Sequence, residues 1–332
     1  MNKKIFFQDT DTVICTDADT PAVSSDEDIL IETSTSIVSA GTELSIWAGI
    51  ESWAPLPNSP GYGSVGKVLE IGKSVDSVVP GDLIFTHGPH QKIALAKNYA
   101  QKVPEGLDPK AAVFTRMAGV SISSVVASDT NIGDTVAICG LGLVGNLAAQ
   151  LFNLSGCNVV GIDLSPARLE FAKQCGIETL LNGKSDVVGE LKELTQGRGV
   201  HAFVDATGLA KVVENSFSAI APGGECILLG TPRDEVQGDL VPLLRSIHLA
   251  DQNIQFKGAH EWRYPRFRSQ TKDSQTSIEQ NNEKLLRLLD QGKLLTEPVL
   301  THLLTPEEAP AAYRELKNQN ENYFGVVIDW EQ

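Results

Sequence analysis

The chain has 332 residues, with 42 acidic against 27 basic side chains and a formal net charge of −15. That surplus of negative charge argues against a nucleic-acid or anionic-membrane partner, and no apolar run approaches the ~20 residues a membrane span requires. With 42% hydrophobic and 21% charged residues it reads as a globular protein, long enough for two domains.

The amino terminus, MNKKIFFQDTD, meets acidic residues before any signal-like apolar core forms, so a cytoplasmic protein is expected. Up to about residue 127 the pattern is one of short strands and glycine-rich turns, as in ILIETSTSIV, GYGSVGKVLEIG, GDLIF and QKIALA, which predicts a β-rich domain. From Asp134 to about Gly258 strands and helices alternate, the signature of a doubly wound parallel sheet of the Rossmann type. The polar stretch from Arg268 to Asn282 reads as a surface loop, and a helix carrying Leu285, Leu286, Leu288 and Leu289 follows it. The last strand, FGVVIDW at 324–330, returns β character to the carboxyl end. The fold class is therefore α/β, with a dinucleotide-type domain over 128–275 and a β-rich domain formed by 1–127 and 276–332. Five cysteines are widely spaced and form no C-x-x-C, which suggests buried thiols rather than a zinc knuckle or a disulfide framework.

The most informative stretch is DTVAICGLGLVGNLAAQLFNLSGCNVVGID, residues 134–163. Val136 to Cys139 form a short apolar run suited to a strand buried on both faces. Gly140, Gly142 and Gly145 then spell G-x-G-x-x-G: a tight turn, room for backbone to approach a pyrophosphate, and close packing of helix on strand. Leu143 and Val144 open a helix whose Val144, Leu147, Ala148, Leu151 and Leu154 recur at helical spacing, so its free N–H groups point at the phosphates. Asp163 closes the second strand 23 positions after Gly140, near the roughly 20 expected of a ribose-binding acid. A carboxylate there accepts from both ribose hydroxyls and repels a 2′-phosphate, which favours NAD over NADP, although Arg168 nearby would tolerate a phosphate. Asp205, Thr207 and Gly208 end one later strand and Gly230 and Thr231 the next, at the sheet edge where ligands bind in such folds; Arg233 follows within reach of a phosphate or an acidic substrate.

The order of these domains, with SAGTEL at 39–44, PGYGSVGKVLEIG at 60–72, PGDLIF at 80–85, the GLGLVG turn and LLGTPR at 228–233, resembles the medium-chain dehydrogenase/reductase superfamily. The resemblance implies that the β-rich domain is GroES-like and catalytic. It also marks departures. Zinc-dependent members carry a cysteine where this chain has Ala40 and a G-H-E triplet where it reads Gly61, Tyr62, Gly63, and no cysteine lies between Gly81 and Val103 to form a structural zinc lobe. Alanine and tyrosine do not rebuild a tetrahedral set of N, O or S ligands, so no metal is expected. The G-T-E, P-G-Y-x-S-V-G and L-G-T-P-R segments together resemble a zinc-free branch that includes bacteriochlorophyllide hydroxyethyl dehydrogenases and related sugar- or cyclitol-type dehydrogenases.

Hydride transfer leaves an alkoxide-like oxygen that needs a Lewis acid or a proton donor. Without zinc, the resemblance places Tyr62 in that role, where a histidine ligand would stand, and Thr42 as a hydroxyl that relays protons; the alternatives are a packed aromatic and a helix cap. His90, in FTHGPHQ, is a loop histidine able to pass a proton to solvent. Glu43, Trp47 and Arg116 are candidate substrate contacts, Arg116 lying near the place of a third metal ligand and Glu43 resembling the acid that supports the metal site. The expected function is a metal-independent, NAD-linked oxidation of a polar secondary alcohol, or reduction of the ketone, by a homodimer that pairs along the exposed strand at 254–258. Two readings compete: an NADPH-dependent quinone or enoyl reductase, and a non-catalytic NAD-binding regulator.

Overall fold

The computed structural model describes residues 1–97, 99–268 and 276–332. Its contacts divide the chain into two compact units, one made of Met1–Arg116, Asn282–Gly292 and Val299–Gln332, the other of Met117–Asn281 and Lys293–Pro298.

The first unit opens with the antiparallel pair β1 (Lys3–Phe7) and β2 (Val13–Asp17), followed by β3 (Asp28–Ile37), α1 (Ala40–Trp47), β4 (Ser64–Ile71), β5 (Leu83–Thr86), β6 (Ile93–Lys97), β7 (Gln101–Lys102) and the single turn α2 (Pro109–Ala112). The chain then enters α3 (Thr115–Ala127) and the alternating run β8 (Thr135–Cys139), α4 (Leu143–Leu154), β9 (Asn158–Asp163), α5 (Pro166–Gln174), β10 (Thr179–Asn182), α6 (Val187–Leu194), β11 (Val200–Asp205), α7 (Ala210–Ser216), β12 (Ile220–Leu228), α8 (Val241–His248) and β13 (Gln255–Gly258). It closes with α9 (Ile278–Asp290), β14 (Leu300–Leu304), α10 (Ala309–Lys317) and β15 (Gly325–Asp329).

In the first unit a seven-stranded sheet runs β14-β15-β3-β4-β5-β7, with β6 also pairing β3. The terminal strand β15 lies antiparallel to β3, with Val327 opposite Ile37, which is how the carboxyl end returns to the β-rich unit. One apolar cluster fills the space among Ile29, Ile31, Val68, Ile84, Ala94 and Ala96. A second joins α1, α10 and β15 through Trp47, Tyr313, Ile328 and Trp330.

The second unit is a six-stranded parallel sheet ordered β10-β9-β8-β11-β12-β13. The chain order reverses at β8, so the turn after that strand sits at the switch point where such sheets bind ligands. Successive residues of β8 point to opposite faces: Val136 and Ile138 join the cluster with Ala148 and Phe152 of α4, whereas Ala137 joins Leu191 of α6 and Val213 of α7. Both faces are covered, which is why the strand reads as continuous apolar sequence rather than as an alternating one.

Three expectations shift. Val120, Val125 and Ala127 of α3 pack on the parallel-sheet core, so from Met117 this helix belongs to the second unit and not to the β-rich one that was expected to run to residue 127. Leu154, expected on the apolar face of α4, is exposed, and Phe152 is buried in its stead. Of the surface loop expected over Arg268 to Asn282, residues 269–275 lie outside the described residues, and Ile278 onward is already helical.

Candidate functional site

The candidate residues fall into two constellations, one in each unit. In the second, Gly140 follows β8 with a φ of +89°, a left-handed conformation that favours glycine, and its N–H donates to the Ile162 carbonyl at 2.8 Å. Gly142 is the N-cap of α4, and Leu143 and Val144 begin its first turn. A Cβ at Gly145 would stand 1.8 Å from the Gly140 carbonyl oxygen, so this glycine is required for the helix to seat against the turn. A Cβ at Gly142 would meet nothing within 4 Å. The space beside Gly142 is thus open, bordered by the N–H groups of a helix end, which is the cradle a pyrophosphate needs.

Asp163, at the end of β9, is buried; its Oδ2 accepts from Leu141 N at 2.7 Å and its Oδ1 from Ser165 N at 2.8 Å. The carboxylate ties the glycine turn to the start of α5, while Ser165 itself caps that helix by accepting from Arg168 N. Each oxygen retains a second lone pair for a ribose hydroxyl. The Arg168 guanidinium stands 3.7 Å from Asp163 and is half exposed. Asp205 is placed differently from expectation. It is wholly buried, accepting from Thr207 N at 3.0 Å, from the Thr207 hydroxyl and from Gly208 N at 3.2 Å, and burial pushes its pKa up. It therefore shapes the loop after β11 from beneath, and Thr207 and Gly208 form the loop's backbone. That loop packs on the next one, since a Cβ at Gly230 would lie 2.3 Å from Gly208 N. Thr231 and Arg233 beyond it are exposed, Arg233 Nη1 lying 3.4 Å from the Thr231 carbonyl.

In the first unit, Tyr62 enters β4 between two glycines that make room for its neighbours. A Cβ at Gly61 would meet His90 N at 2.5 Å, and one at Gly63 would meet Arg116 Cγ at 2.4 Å. The Arg116 guanidinium lies 4.9 Å over the Tyr62 ring, a cation–π contact, and its Nη1 is 3.4 Å from His87 Nε2. The Tyr62 hydroxyl donates to Ser39 Oγ. Burial raises the phenol's pKa, against the lowering influence of Arg116 and of the Ser39 and Thr42 hydroxyls. Thr42 is half-buried inside α1; it does not cap the helix, which begins at Ala40 with Ser39 at its N-cap.

Three sequence candidates are corrected by burial. Glu43 has no exposed surface; its Oε1 accepts from Ser39 N at 2.8 Å, and its Oε2 takes the Tyr313 hydroxyl and His90 Nε2, the latter at 3.1 Å. His90 is 1% exposed, with Nδ1 2.8 Å from Ser36 Oγ, so it is an interior residue and no solvent-facing loop histidine. Trp47 is 2% exposed, packed in the core with Phe7. None of the three presents a surface to a substrate. Arg116 is likewise buried, with the Tyr62 ring beneath its guanidinium.

Ser39, Ser36 and Tyr313 were missed by sequence reasoning. Ser39 carried a faint signal, an N-terminal hydroxyl four positions before a glutamate. Tyr313 carried none, since it reaches Glu43 across 270 positions of sequence.

By the resemblance, Ala40 stands where zinc-dependent enzymes carry a cysteine ligand and Tyr62 where they carry a histidine, while Arg116 lies near the place of a third ligand. A methyl donates nothing, and a fixed cation above the phenol repels a second one, so these residues do not fit zinc. Among the described residues no three His, Cys, Asp or Glu side chains gather where they would hold a metal ion.

Comparison with known proteins agrees with this architecture. Residues 144–270 match the family described as zinc-binding dehydrogenase. The chain is 28% identical over 265 residues to a D-guloside 3-dehydrogenase of Shigella flexneri, covering 77% of this chain and 73% of that protein. Its fold is similar to that of galactitol-1-phosphate dehydrogenase from Escherichia coli, with a TM-score of 0.86 at 17% identity over 99% of this chain and 100% of that one. An alcohol dehydrogenase from Thermus sp. ATN1 gives a TM-score of 0.81 at 20% identity, covering 98% of this chain and 99% of that one. The family match falls on the unit with the six-stranded parallel sheet and its glycine turn, and the chain as a whole shares its fold with these dehydrogenases.

Proposed function

We propose that the protein is a metal-independent dehydrogenase of the cytoplasm that moves a hydride between NAD(H) and a secondary hydroxyl of a sugar-like substrate, with the Tyr62 phenol in the place of a Lewis acid. The observation that carries this reading is the Tyr62 hydroxyl itself, bonded to Ser39 and covered by Arg116 where a metal ligand would otherwise stand. Its pKa is held high by burial, so the group is a neutral phenol at physiological pH and serves as a hydrogen-bond donor or proton carrier rather than as a free base. Arg116 places a fixed positive charge against the same ring, which favours the negative charge that develops on the substrate oxygen.

NAD, when bound, supplies the hydride acceptor. Gly142 and the first turn of α4 would hold its pyrophosphate, Asp163 would accept from the ribose hydroxyls, and the loops at Thr207–Gly208 and Gly230–Thr231 would border it. The substrate class is supported by the D-guloside 3-dehydrogenase relative, whose name specifies oxidation at a ring hydroxyl. The test is an NAD-coupled screen over methyl hexosides, including gulosides, and over cyclitols and hexitols, with metal analysis of the purified protein alongside. NADH formation on a hexoside without stoichiometric zinc is expected, together with tighter binding of NADH than of NADPH. Stoichiometric zinc with activity abolished by chelators would overturn the metal-free mechanism, and equal affinity for the two cofactors would remove the role given to Asp163.

A further inference from the structure

Ser39 occupies the N-cap of α1, yet its side chain makes no capping hydrogen bond. Serine is favoured at that position because its oxygen accepts from N–H groups of the first turn. Here the hydroxyl oxygen instead accepts from the Tyr62 phenol, and the helix end is served from elsewhere: the Glu43 side chain reaches back so that Ser39 N donates to its Oε1 at 2.8 Å. A capping group has been diverted to the phenol.

The residues behind Glu43 hold this arrangement in place. Its Oε2 takes the Tyr313 hydroxyl from α10 and His90 Nε2 from the segment before β6. Trp330 Nε1, which is only a donor, gives its hydrogen to Ser36 Oγ at 2.9 Å, and the same hydroxyl lies 2.8 Å from His90 Nδ1 and can donate to it. Glu43 Oε2 already accepts from Tyr313, so His90 Nε2 carries the hydrogen toward it. Every polar hydrogen in the cluster then has an acceptor, and all of its members are buried, which makes it a rigid support rather than a site of exchange with solvent.

We propose that Ser39 is the proton-relay partner of Tyr62 and that the buried Glu43–His90–Tyr313 cluster is the clamp that positions it. This rests on the dehydrogenase reading above. In the oxidation direction the substrate carbinol C–H bond breaks as its hydride passes to NAD⁺, and the C=O bond forms. The substrate hydroxyl proton passes to the Tyr62 oxygen, the Tyr62 proton passes to Ser39 Oγ, and the Ser39 proton passes to water. Reduction runs the same transfers backward. Ser39 thus takes part in the chemistry, whereas Glu43, His90 and Tyr313 act only through its placement.

The experiment compares Ser39→Ala and Ser39→Thr with the unaltered enzyme, measuring kcat and KM on the best hexoside from the screen and the ¹³Cζ resonance of Tyr62 in tyrosine-labelled protein without ligands, assigned with Tyr62→Phe. Because the Ser39 hydroxyl does not cap α1, its removal leaves the helix end intact. Ser39→Ala is expected to lower kcat about 10- to 100-fold with KM within about twofold, to move the Tyr62 resonance and to raise the phenol's titration point, while Ser39→Thr restores all three. An Ser39→Ala enzyme with normal kcat and an unmoved Tyr62 resonance would overturn the proposal. If the unaltered protein oxidises no polar alcohol with NAD while the Tyr62 resonance still responds to Ser39→Ala, the hydrogen bond stands, but the dehydrogenase reading falls and the relay with it.

Discussion

Two glycines three positions apart in the same turn have opposite reasons to be glycine. Gly145 is demanded by the protein's own packing, because a Cβ would collide with the Gly140 carbonyl oxygen at 1.8 Å; Gly142 faces open space. Gly145→Ala is therefore expected to destabilise the fold, by about 1–3 kcal/mol in the manner of an overpacked core. Gly142→Ala should unfold at the same denaturant midpoint as the unaltered protein yet bind NADH at least tenfold more weakly. Denaturation curves and NADH fluorescence titrations on the two variants check both halves. A Gly142→Ala protein with undiminished NADH affinity would mean that the space beside this turn is not where a pyrophosphate lies. Asp163 has a comparable double duty, since its two backbone partners hold the turn in shape whether or not a ribose is present.

The short helix α1 is the element that organises the polar cluster of the first unit. Its eight residues, Ala40 to Trp47, follow the Ser39 N-cap and bury Glu43, Ser45, Ile46 and Trp47, so one face sits among the apolar side chains of α10 and β15 while its amino end meets Tyr62. A buried carboxylate in such a setting is tolerable only when its oxygens are satisfied. Tyr313 supplies one of the three donors from α10, and burial beside Glu43 drives the pKa of this phenol far upward, keeping it protonated as a donor. Tyr313→Phe preserves the ring's edge contact with Phe7 and deletes only the hydroxyl. A loss of about 1–3 kcal/mol is expected for removing a hydrogen bond to a charged acceptor in the interior, measured as a lower midpoint in urea at unchanged slope. No loss of stability would show that the donor is dispensable and the clamp looser than described.

At the scale of the whole molecule, among the described residues no strand pairs the outer edge of β13, and Phe256 on that strand is 44% exposed. An open strand invites pairing with another chain unless it is shielded, and a two-fold axis beside it would let β13 of two copies continue the sheet. Sedimentation analysis is expected to give a mass of two chains, with Phe256→Glu shifting the equilibrium toward one. A single-chain mass for the unaltered protein at micromolar concentration would remove the dimer. Among the described residues no helix is long and apolar enough to cross a membrane.

The fold of the parallel-sheet unit was legible in the sequence because its determinants are local. A strand, a glycine turn, a helix and an acid lie within about thirty consecutive residues, and each has its own steric or hydrogen-bonding requirement that no distant part of the chain can alter. The polar cluster of the first unit was only half legible. Tyr62 and Thr42 stood out by their positions, but the polar cluster beside them is drawn from α1, β3, the segment before β6 and α10. Burial turned His90 from a loop histidine into an interior one and withdrew Glu43 and Trp47 from any substrate surface. Residues as far apart as Glu43 and Tyr313 are neighbours only because β15 returns to β3 and carries α10 with it. Side-chain burial and hydrogen-bond direction are properties of that long-range packing, and so the tertiary structure alone decided them.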